Sequence, residues 1–212
     1  MNQIKISRDD IENMDKRYRV QFVNSLTGFK PLNLVGTVSA SGKTNLAIIS
    51  SVVHLGSHPP LFGFVLRPDI SPRHTLLNIR ENKVCTLNHV KESFYKRAHQ
   101  TSARYDRDIS EFKECGLEEE YIESCKAPFV KEATVKMSLN ILEEKTIEVN
   151  GTHLLIGEIA EVILPEEAIS EDGKVKIDLT ETICGSGLDA YYRVEKIARL
   201  SYAKPNRDIT EI

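Results

Sequence analysis

The chain has 212 residues, enough for one domain with a sizeable core, and its 41% hydrophobic and 28% charged residues argue against long disorder. The 28 Lys+Arg against 31 Asp+Glu leave a formal net charge of −3. That balance gives no global attraction for nucleic acid or an anionic membrane, and leaves room for a local basic site that holds one phosphate.

The N-terminal MNQIKISRDDIENMDKRYR has no apolar core of the signal-peptide kind, and no apolar run approaches the roughly 20 residues that span a bilayer. Four cysteines, Cys85, Cys115, Cys125 and Cys184, form no CxxC pair and read as free structural thiols of a cytoplasmic protein. The six histidines show no HExxH or similar ligand spacing, so no metal site is expected. GxSxG and GxGxxG are both missing, which removes the serine-hydrolase elbow and the dinucleotide fingerprint.

In chain order, Ser7 can cap a first helix whose first turn carries Asp9 and Asp10. Tyr18, Phe22, Val23 and Leu26 recur at helical spacing up to Gly28, so residues 1–28 read as an amphipathic helical extension packed on the body. PLNLVGTVSA and TNLAIISSVV, joined by Ala40, Ser41, Gly42 and Lys43, read as a hairpin. GTVSASGKT within it is one residue too long for GxxxxGK[ST], and β-branched residues follow it where a P-loop needs a helix. PPLFGFVLRP fits a strand buried on both faces. Ser71 and Pro72 read as the start of a helix with Leu76, Leu77 and Ile79 on its apolar side. VCTLNHV is another strand, residues 91–116 are helical and loopy, and 133–144 and 153–164 form a second long pair with its turn at 143–151. Residues 197–203 read as a last strand. Strands with helices inserted between them suit a closed or partly closed barrel better than regular βαβ alternation.

Several segments, in this order, resemble the flavin reductase-like family. They are LNLVGTVSASGKTNLAIISS, GFVLRPDISPRHTLLNIRENK, TSARYDRDISEFKECGL, GTHLLIGEIAEV and the closing AYYRVEKIARLSYAKP. The resemblance implies a mainly β fold, an FMN-binding split β-barrel of Greek-key type with peripheral helices. It implies one flavin reductase-like domain over 1–212, with its core at about 29–205. The implied activity is NAD(P)H-dependent flavin reduction on bound FMN, with hydride passing from nicotinamide to flavin N5. A non-enzymatic FMN-binding electron carrier served by a partner redox protein, and an FMN-dependent oxidase or oxygenase, share the same fold. A homodimer with flavin near the interface is also implied.

FMN presents a dianionic phosphate, a polyhydroxyl chain and a flat ring with one polar edge. Arg67 at a strand end, Ser71 and Thr75 at a helix start form the expected phosphate site. Asn45, Ala47 and Ile49 share one strand face, and Leu46, Ile48 and Ser50 the other. Backbone groups along Asn45, Leu46 and Ala47 are expected at the ring's polar edge, with Ser50 and Ser51 bonding ribityl or phosphate oxygens. Ser102 and Ala103 are small residues where the family brings a loop near the ring. No side-chain nucleophile is needed, because the flavin carries the chemistry. His153 is the candidate on the nicotinamide side, although Thr152 stands where the family's reductases often carry Asp. The acidic stretch 166–182 is longer than the family's compact pattern and is expected to cover or reshape the substrate side.

Overall fold

The hairpin forms where the sequence puts it. In the computed structural model, which describes residues 2–68 and 73–212, a short β1 (Lys30–Pro31) leads into β2 (Asn33–Val38) and β3 (Thr44–Ile49). The turn between them is closed by Ser39 N–H to Lys43 O at 2.8 Å and Gly42 N–H to Ser39 O at 3.0 Å. Gly42 sits at φ +83°, a conformation that costs glycine little. Thr44 opens a strand and no helix, as the failed P-loop spacing requires.

TNLAIISSVV, expected as one strand, is two. After β3 the chain breaks at residues 50–52 and re-enters as β4 (Val53–Ser57), which turns into β5 (Pro60–Leu66). Then come α3 (His74–Asn82), preceded in the chain by α1 (Arg8–Asn13) and α2 (Lys16–Ser25), and β6 (Val84–His89). α4 (Tyr95–Gln100) and α5 (Glu111–Glu114) precede a hairpin of β7 (Glu119–Ile122) and β8 (Cys125–Val130). The long pair is β9 (Lys136–Ile147) and β10 (Thr152–Ile163), and the chain ends its regular structure with β11 (Cys184–Ser186) and β12 (Ala190–Tyr192).

Seven strands make one antiparallel sheet in the order β3-β2-β6-β9-β10-β5-β4. Its two edges, β3 and β4, are neighbours in sequence, so three residues bring one edge of the curled sheet round to the other. Ser51 staples that junction: its hydroxyl donates to Val65 O and accepts from Val65 N–H, both at 3.0 Å. The result is a barrel that is split beside β3.

Period-two alternation feeds two cores from one strand. Val35 of β2 packs inside the barrel with Phe64, Leu66, Leu87, Leu139 and Leu155, and α3 plugs the interior with Leu76 and Ile79. Leu34, its neighbour, points the other way and packs with Leu46, Phe94, Ala98 and Phe112 under the α4–α5 segment. Gly36 has no room for a side chain, since a Cβ there would lie 2.2 Å from Pro128 O.

Four expectations are corrected. The N-terminal extension is two helices, because Asp15 accepts from the N–H groups of Arg17 and Tyr18 and starts a second one. Neither helix fully buries a residue, and Tyr18, Val23 and Leu26 are exposed, so the extension meets the body less through the expected apolar face than through polar links such as Gln21 to Asp189. The strand β5 is fully buried only at Gly63, Phe64 and Leu66, and is half-buried elsewhere. The turn of the long pair is confined to residues 148–151, because β9 runs to Ile147. Residues 197–203 form no strand: Ile197 is 99% exposed and only an isolated bridge, Leu200 to Glu211, forms there. The expected helix start at Ser71 and Pro72 lies outside the described residues, and α3 begins at His74. Among the described residues no helix is long and apolar enough to cross a membrane.

Candidate functional site

An edge strand with bare N–H groups invites pairing, and β3 is an edge. Two side chains from the segment after α4 cover it. Leu46 N–H donates to Glu111 Oε2 at 2.9 Å, and Ile48 N–H donates to Thr101 Oγ1 at 3.0 Å. Glu111 is only 5% exposed, and burial pushes its carboxyl above the ordinary glutamate value. These bonds hold the turn at Ser102 against the end of β3.

Beyond that point the split opens into a cleft. One wall is Ile48, Ile49 and Ser50 at the end of β3, with Arg67 just past β5. His99 and Ser102 come from α4 and the turn after it. The facing wall is the β11–β12 hairpin, through Gly185, Ser186, Gly187 and Tyr191, and Lys30 and Leu32 complete the lining. The basic residues Lys30, Arg67 and His99 and four hydroxyls, those of Ser50, Ser102, Ser186 and Tyr191, therefore line the cleft, and among the described residues no carboxylate does.

Among the described residues, no hydrogen bond or ion pair within the chain engages the side chains of Ser50, Arg67 or Ser102. Lys30 Nζ instead donates to Asn24 O at 3.2 Å and Gly187 O at 2.9 Å, which fixes the hairpin wall. His99 Nδ1 lies 2.7 Å from Tyr191 Oη. Burial, then the charge of Asp189, raise the Tyr191 hydroxyl above the ordinary tyrosine value, so it stays protonated.

Of the residues singled out in the sequence, the cleft gathers Ser50, Arg67 and Ser102. The others have different surroundings. Asn45 Nδ2 donates to Thr75 Oγ1 at 2.9 Å, and both side chains are buried, so the pair ties β3 to α3. Leu46 is fully buried in the second core and its N–H belongs to Glu111, which takes that backbone group from the ring edge expected there. Ala47 pairs with Val35 and is half-buried. The Ser51 hydroxyl is committed to Val65. Ala103 is exposed, its N–H bonded to Gln100 O at 3.1 Å. Ser71 lies outside the described residues. His153 is 5% exposed, opposite Leu66 in the sheet, with Nδ1 3.0 Å from Glu144 Oε1. Arg80 also bonds Glu144, through Nε at 3.0 Å, and holds that carboxyl below the usual range. His153 is part of that ion cluster and does not line the cleft.

Lys30, His99, Ser186 and Tyr191 were not read from the sequence. Lys30 and His99 are isolated basic residues on short or helical elements, with no spacing signal. Ser186 and Tyr191 sit on three-residue strands, too short to show a period.

A curled antiparallel sheet split at one edge, with a basic cleft at the split, defines a split β-barrel. A profile of the flavin reductase like domain matches residues 29–179, and the chain belongs to that family. The chain is 47% identical to a protein from Shewanella frigidimarina NCIMB 400, assigned as a flavin reductase with split barrel domain. That match has a TM-score of 0.92 and covers 95% of this chain and 100% of the other. Nitrilotriacetate monooxygenase component B from Bacillus cereus shares the fold at 18% identity, TM-score 0.80, covering 92% of this chain and 98% of its own. Flavoredoxin of Desulfovibrio vulgaris shares it at 22% identity, TM-score 0.69, covering 84% and 92%.

Proposed function

We propose that the chain binds FMN in this cleft and reduces it with NAD(P)H. The observation that carries the reading is the lining itself: among the described residues, Arg67, Ser50 and Ser102 are uncommitted, in a cleft that carries basic side chains and, among those same residues, no carboxylate. This donor set fits FMN. Arg67 would hold the phosphate through a charge-assisted fork, and Ser50, Ser102 and Ser186 would bond its remaining oxygens and the ribityl hydroxyls. Ile48 and Ile49 offer apolar surface that excludes water from one side of a flat ring. Bound flavin supplies the centre that accepts a hydride from nicotinamide, which is why the chain needs no nucleophile or acid–base pair of its own. The Arg67 and Lys30 cations also favour the extra negative charge of a reduced ligand.

A homodimer belongs to the same reading. Val53 and Leu55 are half-exposed on β4, the other sheet edge, and Leu26 and Phe29 are exposed beside the N-terminal helices. A second copy is the partner that a two-fold closed assembly would place against such surface.

The electron-carrier alternative shares the flavin site and takes its electrons from a protein; the likeness to a flavoredoxin fold favours it as the second reading. Purified protein should be yellow, and added NADH or NADPH should bleach the flavin band anaerobically. A yellow protein that neither nucleotide bleaches would be the carrier. A colourless protein that takes up no FMN would end the flavin reading.

A further inference from the structure

The family match ends at residue 179, yet one wall of the cleft is built from residues 185–191. That wall is a short strap, and the chain fastens it at several points. β1 pairs with β11, Lys30 Nζ bonds Gly187 O at 2.9 Å, and Gln21 Nε2 bonds Asp189 Oδ2 at 3.1 Å. Leu32 side-chain atoms would lie 2.9 Å from a Cβ at Gly185, so the strap sits close against the barrel. Tyr192 turns to Phe29, ring centroids 4.9 Å apart.

Tyr191 is the residue these fastenings aim. Its ring is half-buried against Tyr95, at 5.2 Å between centroids, and meets His99 edge-on at 5.8 Å. The 2.7 Å bond to His99 Nδ1 fixes the phenol end. An aromatic ring lining a cleft and held by two others loses little freedom when a second flat ring packs on it. Arg67 and the Ser50 and Ser102 hydroxyls suit the phosphate and ribityl portions, which leaves the apolar Ile48 and Ile49 wall and the facing aromatic strap to meet the two sides of the ring.

We propose that Tyr191, positioned by His99, is the ring-binding residue of the cleft and selects for a planar aromatic heterocycle, the flavin ring. This rests on the flavin reading above, and it assigns the strap outside the family-matched residues a part in ligand selection.

Riboflavin, which has the ring and ribityl chain without the phosphate, is the probe, titrated into flavin-stripped protein while its fluorescence is followed. A contacting tyrosine quenches flavin fluorescence by electron donation, phenylalanine does not, and the chain has no tryptophan to complicate the signal. Wild-type protein should quench riboflavin on binding. Tyr191→Phe should bind within a few-fold of wild type but leave the bound flavin brighter. Tyr191→Ala should lose roughly 5- to 150-fold in affinity, the span of one aromatic–base stacking contact. Tyr202→Ala, at a tyrosine that is 88% exposed and outside the cleft, should bind as wild type does. Unchanged affinity in Tyr191→Ala, unchanged quenching in Tyr191→Phe, or an equal loss in Tyr202→Ala would overturn the assignment. If Tyr191→Ala does not fold, the brightness of Tyr191→Phe decides alone. Wild-type protein that binds neither riboflavin nor FMN would instead remove the flavin reading beneath it.

Discussion

The buried core and the cleft both carry polar side chains and use them for opposite ends. Where β8 packs on the outer face of the sheet, Asn88 Nδ2 donates to Leu34 O and Thr86 Oγ1, and its Oδ1 accepts from Val130 N–H at 2.9 Å. Asn78 bonds Thr37, and Asn45 bonds Thr75. Each of these links replaces water for a group that would otherwise be costly to bury. In the cleft, Ser50, Ser102 and Arg67 have no such link among the described residues. Residue type alone does not decide this: Ser51 is bonded to Val65, while its neighbour Ser50 is uncommitted among the described residues. What separates them is whether the fold has already used the side chain, and only the unused ones are available to a ligand.

That contrast predicts two classes of response to substitution. The largest effect belongs to the interior. Phe64→Ala empties a fully buried site and should lower stability by about 3–5 kcal/mol, read as a shifted denaturant midpoint. Flavin affinity of the fraction that stays folded should hardly move. A loss of affinity with full stability would mean that the barrel and the cleft are not separable.

Acid should weaken the interior next. Burial lowers His89 from 6.5 to about 4, so the folded chain resists its protonation while the unfolded chain does not. The stability this group contributes is present above pH 6.5 and is lost as pH falls toward 4, by up to about 3 kcal/mol at roughly 1.4 per unit. His89→Gln should flatten the stability–pH curve in that window. An unchanged slope would show that His89 is not responsible.

The cleft should respond in the other way. Arg67→Ala should cost roughly 10- to 150-fold in FMN affinity, equivalent to about 1.5–3 kcal/mol for a charge-assisted bond, with stability unchanged. Arg67→Lys should recover only part, because lysine lacks the planar fork. The smallest effect is expected at the surface. The Arg8–Glu12 pair is largely exposed, so Arg8→Ala should shift stability by under about 1 kcal/mol and affinity not at all.

The sequence made some parts of this molecule legible and hid others for physical reasons. β2, β3, β6, β9 and β10 are long or alternate cleanly, and the turn at Gly42 has its glycine, so each could be read locally. The β7–β8 hairpin could not: Glu119 and Glu120 look like a solvated loop, and Pro128 argues against a strand. It forms because β8 lies against β2, close enough that Gly36 tolerates no side chain, and no local pattern records that approach. Residues 197–203 show the reverse error, since β-branched and apolar residues make no strand without a neighbour to pair with. In the site, Arg67, Ser50 and Ser102 were legible through family resemblance. Asn45, Thr75 and Ser51 matched it equally well in sequence. Only their partners, Thr75, Asn45 and Val65, reveal that the fold has claimed them.

The most direct test of the central claim is a comparison of FMN and riboflavin binding to the flavin-stripped wild-type protein at one ionic strength. The account predicts that both bind, and that FMN binds at least about 10-fold more tightly because the Arg67 guanidinium meets its phosphate in the cleft. Equal affinity for the two would contradict the phosphate assignment, and no binding of either would contradict the flavin cleft itself.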